Sequence, residues 1–199
     1  MATRKRPKPG ERRVQILQVL AEMLQQPGAE RVTTAALAAR LAVSEAALYR
    51  HFASKAQMFE ALIDFIESSV FGLINQIGER EPAGRARAAR IVAMVLQFGE
   101  KNPGMARVMV GDALVFEHER LQQRMNQFFD KLDAALRQSL RDGALADSAE
   151  PATLTPDADA RVRASVLTAF VAGRLQRFAR SGFRRAPSEQ LGACIARML

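Results

Sequence analysis

Cysteine is nearly absent: the 199 residues contain one, Cys194, in an apolar stretch near the C-terminus. Neither a disulfide framework nor a thiolate metal cluster can be built from it, which suits a reducing cytoplasm. Long apolar runs are missing as well. The chain has no stretch near the roughly 20 apolar residues of a membrane span, and Val14 to Leu24, which follows a basic start, is interrupted by Gln15, Gln18 and Glu22 as no signal peptide would be. Histidine occurs twice, as His51 and His118, far apart in sequence. With no H-E-x-x-H, P-loop or G-x-G-x-x-G pattern beside them, the chain is expected not to be an enzyme and to use no metal and no cofactor. Alternating strand-like runs bounded by turn residues are also lacking, so the expected fold is all-α.

What is present is positive charge. Lys and Arg number 29 against 21 Asp and Glu, a formal net charge of +8, and a polyanion is the natural partner. The excess begins at the N-terminus, where Arg4, Lys5, Arg6, Lys8, Arg12 and Arg13 face only Glu11. Such an arm either lies along phosphates or a minor groove or is a solvated, disordered tail; residues 1–10 are assigned to it.

Helical periodicity fills the rest. A first helix is expected over 11–26, with Val14, Leu17, Leu20, Ala21 and Leu24 on one stripe and Pro27-Gly28 stopping it. Short helices follow over 34–41 and 44–51. A long helix over 55–78 is opened by the S-x-x-Q spacing of Ser54 and Gln57, a capping-box pattern, and carries the stripe Phe59, Leu62, Ile63, Ile66, Val70, Leu73, Ile74 and Ile77. Phe65 and Phe71 fall off that stripe on opposite flanks, either against a second neighbour or as an exposed anchor. Further helices are expected over 85–101, 114–141 (Leu121, Met125, Phe128, Leu132, Leu136, Leu140, ended by Gly143), 157–180 and 187–199, with a loop over 144–156. In the helix over 157–180, Val162, Val166, Ala169, Phe170 and Gly173 form a face whose small residues let a second helix come close.

The informative stretch is Thr33 to Phe52. Thr33 or Thr34 can cap the first short helix, and either hydroxyl can instead bond a phosphate. Leu37, Ala38 and Leu41 supply its apolar side, Leu41-Ala42-Val43 makes a tight corner that buries Val43, and Ser44 caps the second helix. A helix-turn-helix points the start of its second helix into the major groove. With Leu48 and Phe52 facing the core, Glu45, Ala46, Ala47, Tyr49, Arg50 and His51 form the candidate exposed set. Ser44 and Glu45 can meet base edges and the Ala46 and Ala47 methyls a thymine methyl, while Tyr49, Arg50 and His51 suit phosphates. Lys55 opens the next helix, where its ammonium and the free N–H groups together make an anion site.

Thr33-Thr34-Ala35-x-Leu37-Ala38 followed by Val43-Ser44-x-x-x-Leu48-Tyr49-x-His51-Phe52-x-x-Lys55 resembles the DNA-binding signature of the TetR family of regulators. The resemblance implies about nine helices, a three-helix reading head (11–53), and a body (54–199) that forms a homodimer through its last long helices as a four-helix bundle. Phe65-Ile66-Glu67, Phe98 to Gly104, Phe116-Glu117 and Arg120-Leu121-Gln122 further resemble one division-controlling branch of that family. Membership of that branch implies binding to palindromic chromosomal sites and contact, when DNA-bound, with the tubulin-like division protein FtsZ, whose polymers are disrupted. Localisation in the cytoplasm on the nucleoid follows. The implied partner groove lies between the fourth and fifth helices, with Phe65, Met94, Lys101 and Asn102 at the corresponding positions; the branch often carries Arg where this chain has Leu73 and Leu where it has Met94. The alternative is a ligand-responsive TetR-type repressor, whose body would need a cavity lined by Phe116, His118, Met125 and Phe128.

Overall fold

The computed structural model describes residues 10–26, 32–82, 84–144 and 155–199. The expected arm up to residue 9, the Pro27-Gly28 stop and all but the ends of the expected 144–156 loop lie outside the described residues. Within them are nine α-helices and no strand: α1 Glu11–Leu24, α2 Thr34–Arg40, α3 Glu45–Tyr49, α4 Lys55–Arg80, α5 Arg85–Lys101, α6 Pro103–Met109, α7 Glu119–Ala144, α8 Pro156–Arg180 and α9 Leu191–Met198, with a 3₁₀ turn at Asp112–Leu114. None of these helices is long and apolar enough to cross a membrane.

Four of these helices open on a hydroxyl cap. Thr33, Ser44, Ser54 and Thr155 accept from the backbone N–H three residues ahead, at 3.2, 3.3, 3.2 and 3.3 Å. Each cap contributes about 1 kcal/mol. The S-x-x-Q pattern at α4 closes differently from a capping box, because the Gln57 side chain accepts from Ala53 N–H at 2.9 Å and not from Ser54 N–H.

Several expected boundaries move. In α1 the buried side is Ile16, Leu20, Ala21 and Leu24, whereas Val14 is 55% exposed; the core lies toward Ile16 because α4 and α6 approach the helix from that side. Pro103 does end α5, but it also opens α6, since a proline at the first helical position lacks only an N–H that would have no partner there. The helix expected from Leu114 therefore begins at Glu119, after Gly111 turns the chain at φ 82°. Gly143 sits inside α7 and does not end it. Pro187 opens a turn over residues 187–190, and α9 starts only at Leu191, after Gln190 at φ 51°.

A single apolar cluster runs from Ile16 to Phe178. Its axis is α4, which buries seven residues between Met58 and Ile74, and α7 adds the stripe Leu121, Met125, Phe128, Leu132, Leu136 and Leu140, buried throughout. Leu73, expected on the α4 stripe, is instead 37% exposed. The head seats on the body where α6 crosses α1, at Gly104. A Cβ there would stand 2.0 Å from the Ala21 carbonyl oxygen, so only glycine permits the approach. α8 has two apolar sides. Ala160, Ala164, Leu167, Val171, Leu175 and Phe178 face the core, while Val162 and Val166 are 53% and 47% exposed, with Ala169 and Gly173 exposed beside them.

Candidate nucleic-acid interface

α3 is five residues long and buries one of its own, Leu48. Too short to persist alone, it is held from outside. Ala42 takes a left-handed φ of 53° to make the corner, and Val43 N–H returns to Ala38 O at 3.0 Å. Val43 is only half-buried against the core, not enclosed as expected. Thr34 Oγ1 donates to Glu45 Oε2 at 2.6 Å, tying the start of α2 to the start of α3. At the far end the Arg13 guanidinium donates to the His51 carbonyl and lies 4.1 Å over the Phe52 ring. Phe52 and Leu48 are each 1% exposed.

This anchoring leaves Ser44, Glu45, Ala46, Tyr49 and Arg50 exposed and Ala47 and His51 half-buried. The hydroxyls differ in what they have left. Thr33 and Ser44 accept in their caps and keep their own protons free to donate, whereas Thr34 has given its proton to Glu45. Glu45 therefore meets any base edge with one oxygen already engaged. Arg13, counted in the sequence only as part of a basic arm, positions the reading helix. No local pattern in the sequence shows that role, because its acceptor is 38 residues away.

Lys55 is not open to solvent on all sides. Its Nζ stands 2.5 Å from Glu117 Oε1, with the two side chains 25% and 9% exposed, and 5.8 Å over the Phe59 ring. A phosphate at the start of α4 must compete with a carboxylate supplied by the body. Glu117 follows Val115 and Phe116, which are 69% and 65% exposed.

The two off-stripe phenylalanines separate. Phe71 packs edge-on against Phe128, with ring centroids 5.4 Å apart; Phe65 is 50% exposed. α4 and α5 form a hairpin closed between Arg80 and Arg85. Measured along the helices at 1.5 Å per residue, Phe65 is about 22 Å from that closure and Lys101 about 24 Å, so they stand at one level; Leu73 and Met94, at about 10 and 14 Å, stand at another. Met94 is half-buried, Lys101 exposed, and the Asn102 amide donates back to Phe98 O at 2.8 Å. Three of the four acidic residues of α4 pair with α7: Glu60 meets Arg120 at 2.7 Å, and Arg124 meets Asp64 and Glu67 at 2.8 and 2.7 Å. Burial of Arg124 opposes its charge, but those carboxylates outweigh it and raise its pKa. The exposed Phe65 ring has Ser68 and Ser69 one turn ahead of it on α4, with Ser68 Oγ donating to the Phe65 carbonyl at 3.1 Å, and Lys101 level with it on α5. The cavity expected for the repressor alternative is not assembled, because Phe116 is 65% exposed while Met125 and Phe128 are packed in the core.

A cornered helix pair with its second helix presented to solvent, seated on a long helical body, defines a DNA-reading regulator of the helix-turn-helix class. Residues 16–62 match the family described as bacterial regulatory proteins, tetR family, and residues 84–196 match the SlmA-like tetracyclin repressor-like C-terminal domain. The chain belongs to the SlmA-like family of TetR-type regulators. It is 44% identical over 193 residues to the nucleoid occlusion factor SlmA of Idiomarina loihiensis, covering 97% of this chain and 94% of that protein. It is 48% identical over 183 residues to the same factor of Cronobacter sakazakii, covering 92% and 90%. Among solved structures, the regulator FadR of Bacillus subtilis, in complex with stearoyl-CoA, superposes with a TM-score of 0.71 at 14% identity over 93% of this chain and 96% of that one; at that identity the likeness concerns the fold alone.

Proposed function

We propose that the chain is a nucleoid occlusion factor: a homodimer that binds palindromic chromosomal sites and, when so bound, engages FtsZ and antagonises its polymerisation, keeping the septum off the nucleoid. It works in the cytoplasm, on the nucleoid. The head, residues 11–53, reads DNA: Ser44, Glu45, Ala46 and Ala47 face bases, while Thr33, Thr34, Tyr49, Arg50, His51 and Lys55 hold phosphates. The body, residues 54–199, pairs two copies through the exposed Val162–Gly173 face of α8, which sets two recognition helices about 34 Å apart and makes the site an inverted repeat. FtsZ takes the groove of Phe65, Met94, Lys101 and Asn102.

The observation that carries this reading is the 50% exposure of Phe65 on α4, the helix that runs through the core. A large aromatic left half in water on a rigid element is the usual form of an interface anchor. FtsZ sedimentation tests it, using duplexes selected from the host chromosome by their binding to this protein. The wild-type chain with such a duplex is expected to reduce pelleted polymer. Phe65→Ala and Lys101→Ala are expected to bind the duplex normally and to leave the polymer intact. If both variants still inhibit, the groove is elsewhere.

A further inference from the structure

A second concentration of positive charge lies far from α3 in sequence. Between residues 174 and 190 stand Arg174, Arg177, Arg180, Arg184 and Arg185 against the single carboxylate of Glu189. Arg177, Arg184, Arg185, Ala186 and Glu189 line an open cleft of about 540 Å³. Arg177, Arg180 and Arg185 are exposed, and none of these arginines takes part in the ion pairs found among the described residues.

The cleft is built, not a fraying end. Gly182 and Phe183 turn the chain at φ 63° and 64°, a conformation that a bulky side chain rarely adopts, and the Phe183 ring packs 5.1 Å from that of Phe178. Arg184 and Arg185 N–H both donate to Ser181 Oγ, at 3.1 and 3.0 Å. Arg174 is spent on the backbone, donating to the carbonyls of Pro187 and Glu189. Ser188 Oγ donates to Glu100 Oε2 at 2.5 Å, which occupies the nearest carboxylate of α5. Arg184 Nε likewise donates to Ser181 O at 2.9 Å, so the guanidinium groups of Arg177, Arg180 and Arg185 are the ones left displayed, with little acid to neutralise them.

The wall also faces the end of the body that carries the head. The Arg107 guanidinium bonds Gln26 O, just past α1, at 3.3 Å and lies 5.1 Å over the Phe183 ring. We infer that this arginine cleft is a second phosphate-binding surface, which takes the sugar-phosphate backbone of DNA adjoining the site read by α3. An open, polar wall suits a polymer that passes across it better than a small molecule needing enclosure. Arg177 and Arg180 lie about 4.5 Å apart along the axis of α8, close to the 3.4 Å advance per phosphate of one strand. Arg177 and Arg180 continue the Val162–Gly173 face of α8; closing a two-fold pair over them would bury like charges, so the pairing of two copies leaves this end open. The inference rests on the DNA-binding reading above and adds a surface to it.

The test compares two charge-matched variants of the full chain. R177S/R180S/R185S removes side chains that make no internal hydrogen bond. R80S/R85S/R141S removes three at the opposite end of the body, where Gly84 N–H meets Ser139 O at 2.7 Å. Affinity is measured from 50 to 200 mM salt on a duplex trimmed to the selected site and on one with long flanks. On the flanked duplex the first variant is expected to bind at least tenfold more weakly and to lower the salt slope by about 2 to 3, with unchanged site preference and a near-wild-type second variant. If the loss is equal on a separate, non-adjoining duplex added in trans and absent on the flanks, the adjoining-backbone assignment is overturned. Equal losses in both variants would reduce the effect to net charge and overturn it too. So would binding of tripolyphosphate or polyglutamate to the wild type, lost in the first variant, while duplex binding stays unchanged. If the wild-type chain bound no duplex at all, the DNA reading itself would fall and this inference with it.

Discussion

The reading helix and the proposed partner groove are built in opposite ways. α3 has five residues, one of them buried, and its position comes from Arg13, Thr34 and Phe52, which belong to other elements. α4 has 26 residues and buries seven, so Phe65 sits on a support that needs no help. DNA reading should therefore be vulnerable to changes that never touch DNA, whereas binding of the proposed partner, once the chain is held on DNA, should depend on the groove side chains themselves.

Phe52→Ala probes the first half of that comparison with the largest effect. Loss of a fully buried ring beneath α3 should remove about 3–5 kcal/mol of stability, read by urea denaturation, and take DNA binding with it. Phe65→Ala should move the same midpoint by less than about 0.5 kcal/mol; comparable losses would dissolve the contrast. Gly104→Ala comes next. A methyl 2.0 Å from a backbone oxygen cannot be accommodated by a rotamer change, and the joint between α1 and α6 should weaken by about 1–3 kcal/mol.

Smaller effects separate the phosphate contacts. Tyr49→Ala and Arg50→Ala should each weaken all duplexes alike, and Arg50→Ala should also lower the salt slope by about 1, because a phosphate contact carries no sequence information. Lys55 should behave otherwise, since Glu117 already holds it. Glu117→Gln is expected to tighten DNA binding a few-fold at low salt by freeing that ammonium. If affinity falls instead, the ion pair supports the head and does not compete with phosphate.

The head was largely legible in the sequence because its logic is local: caps, a corner and apolar spacing lie within 20 consecutive residues, and Thr33, Ser44, Leu48 and Phe52 stand in the roles that spacing assigned. Boundaries beyond it were less so. Pro103 and Gly143 are ordinary stop signals, yet Pro103 also opens α6, since at the first helical position its missing N–H costs nothing, and Gly143 is absorbed into α7, where packing outweighs a glycine propensity of about 1 kcal/mol. The bond of Arg13 to the His51 carbonyl and the pairing of Glu117 with Lys55 left no local pattern in the sequence.

By itself the sequence determined the helical class, the corner between α2 and α3, and the residues offered along α3, since each follows from the geometry of neighbours one or two turns apart. Only the tertiary structure decided that Phe71 packs against the core while Phe65 stays at the surface, that Lys55 is paired with Glu117, and that Arg177, Arg184 and Arg185 gather on one wall. These outcomes depend on which helices lie side by side, and periodicity along one helix shows a face without showing what meets it.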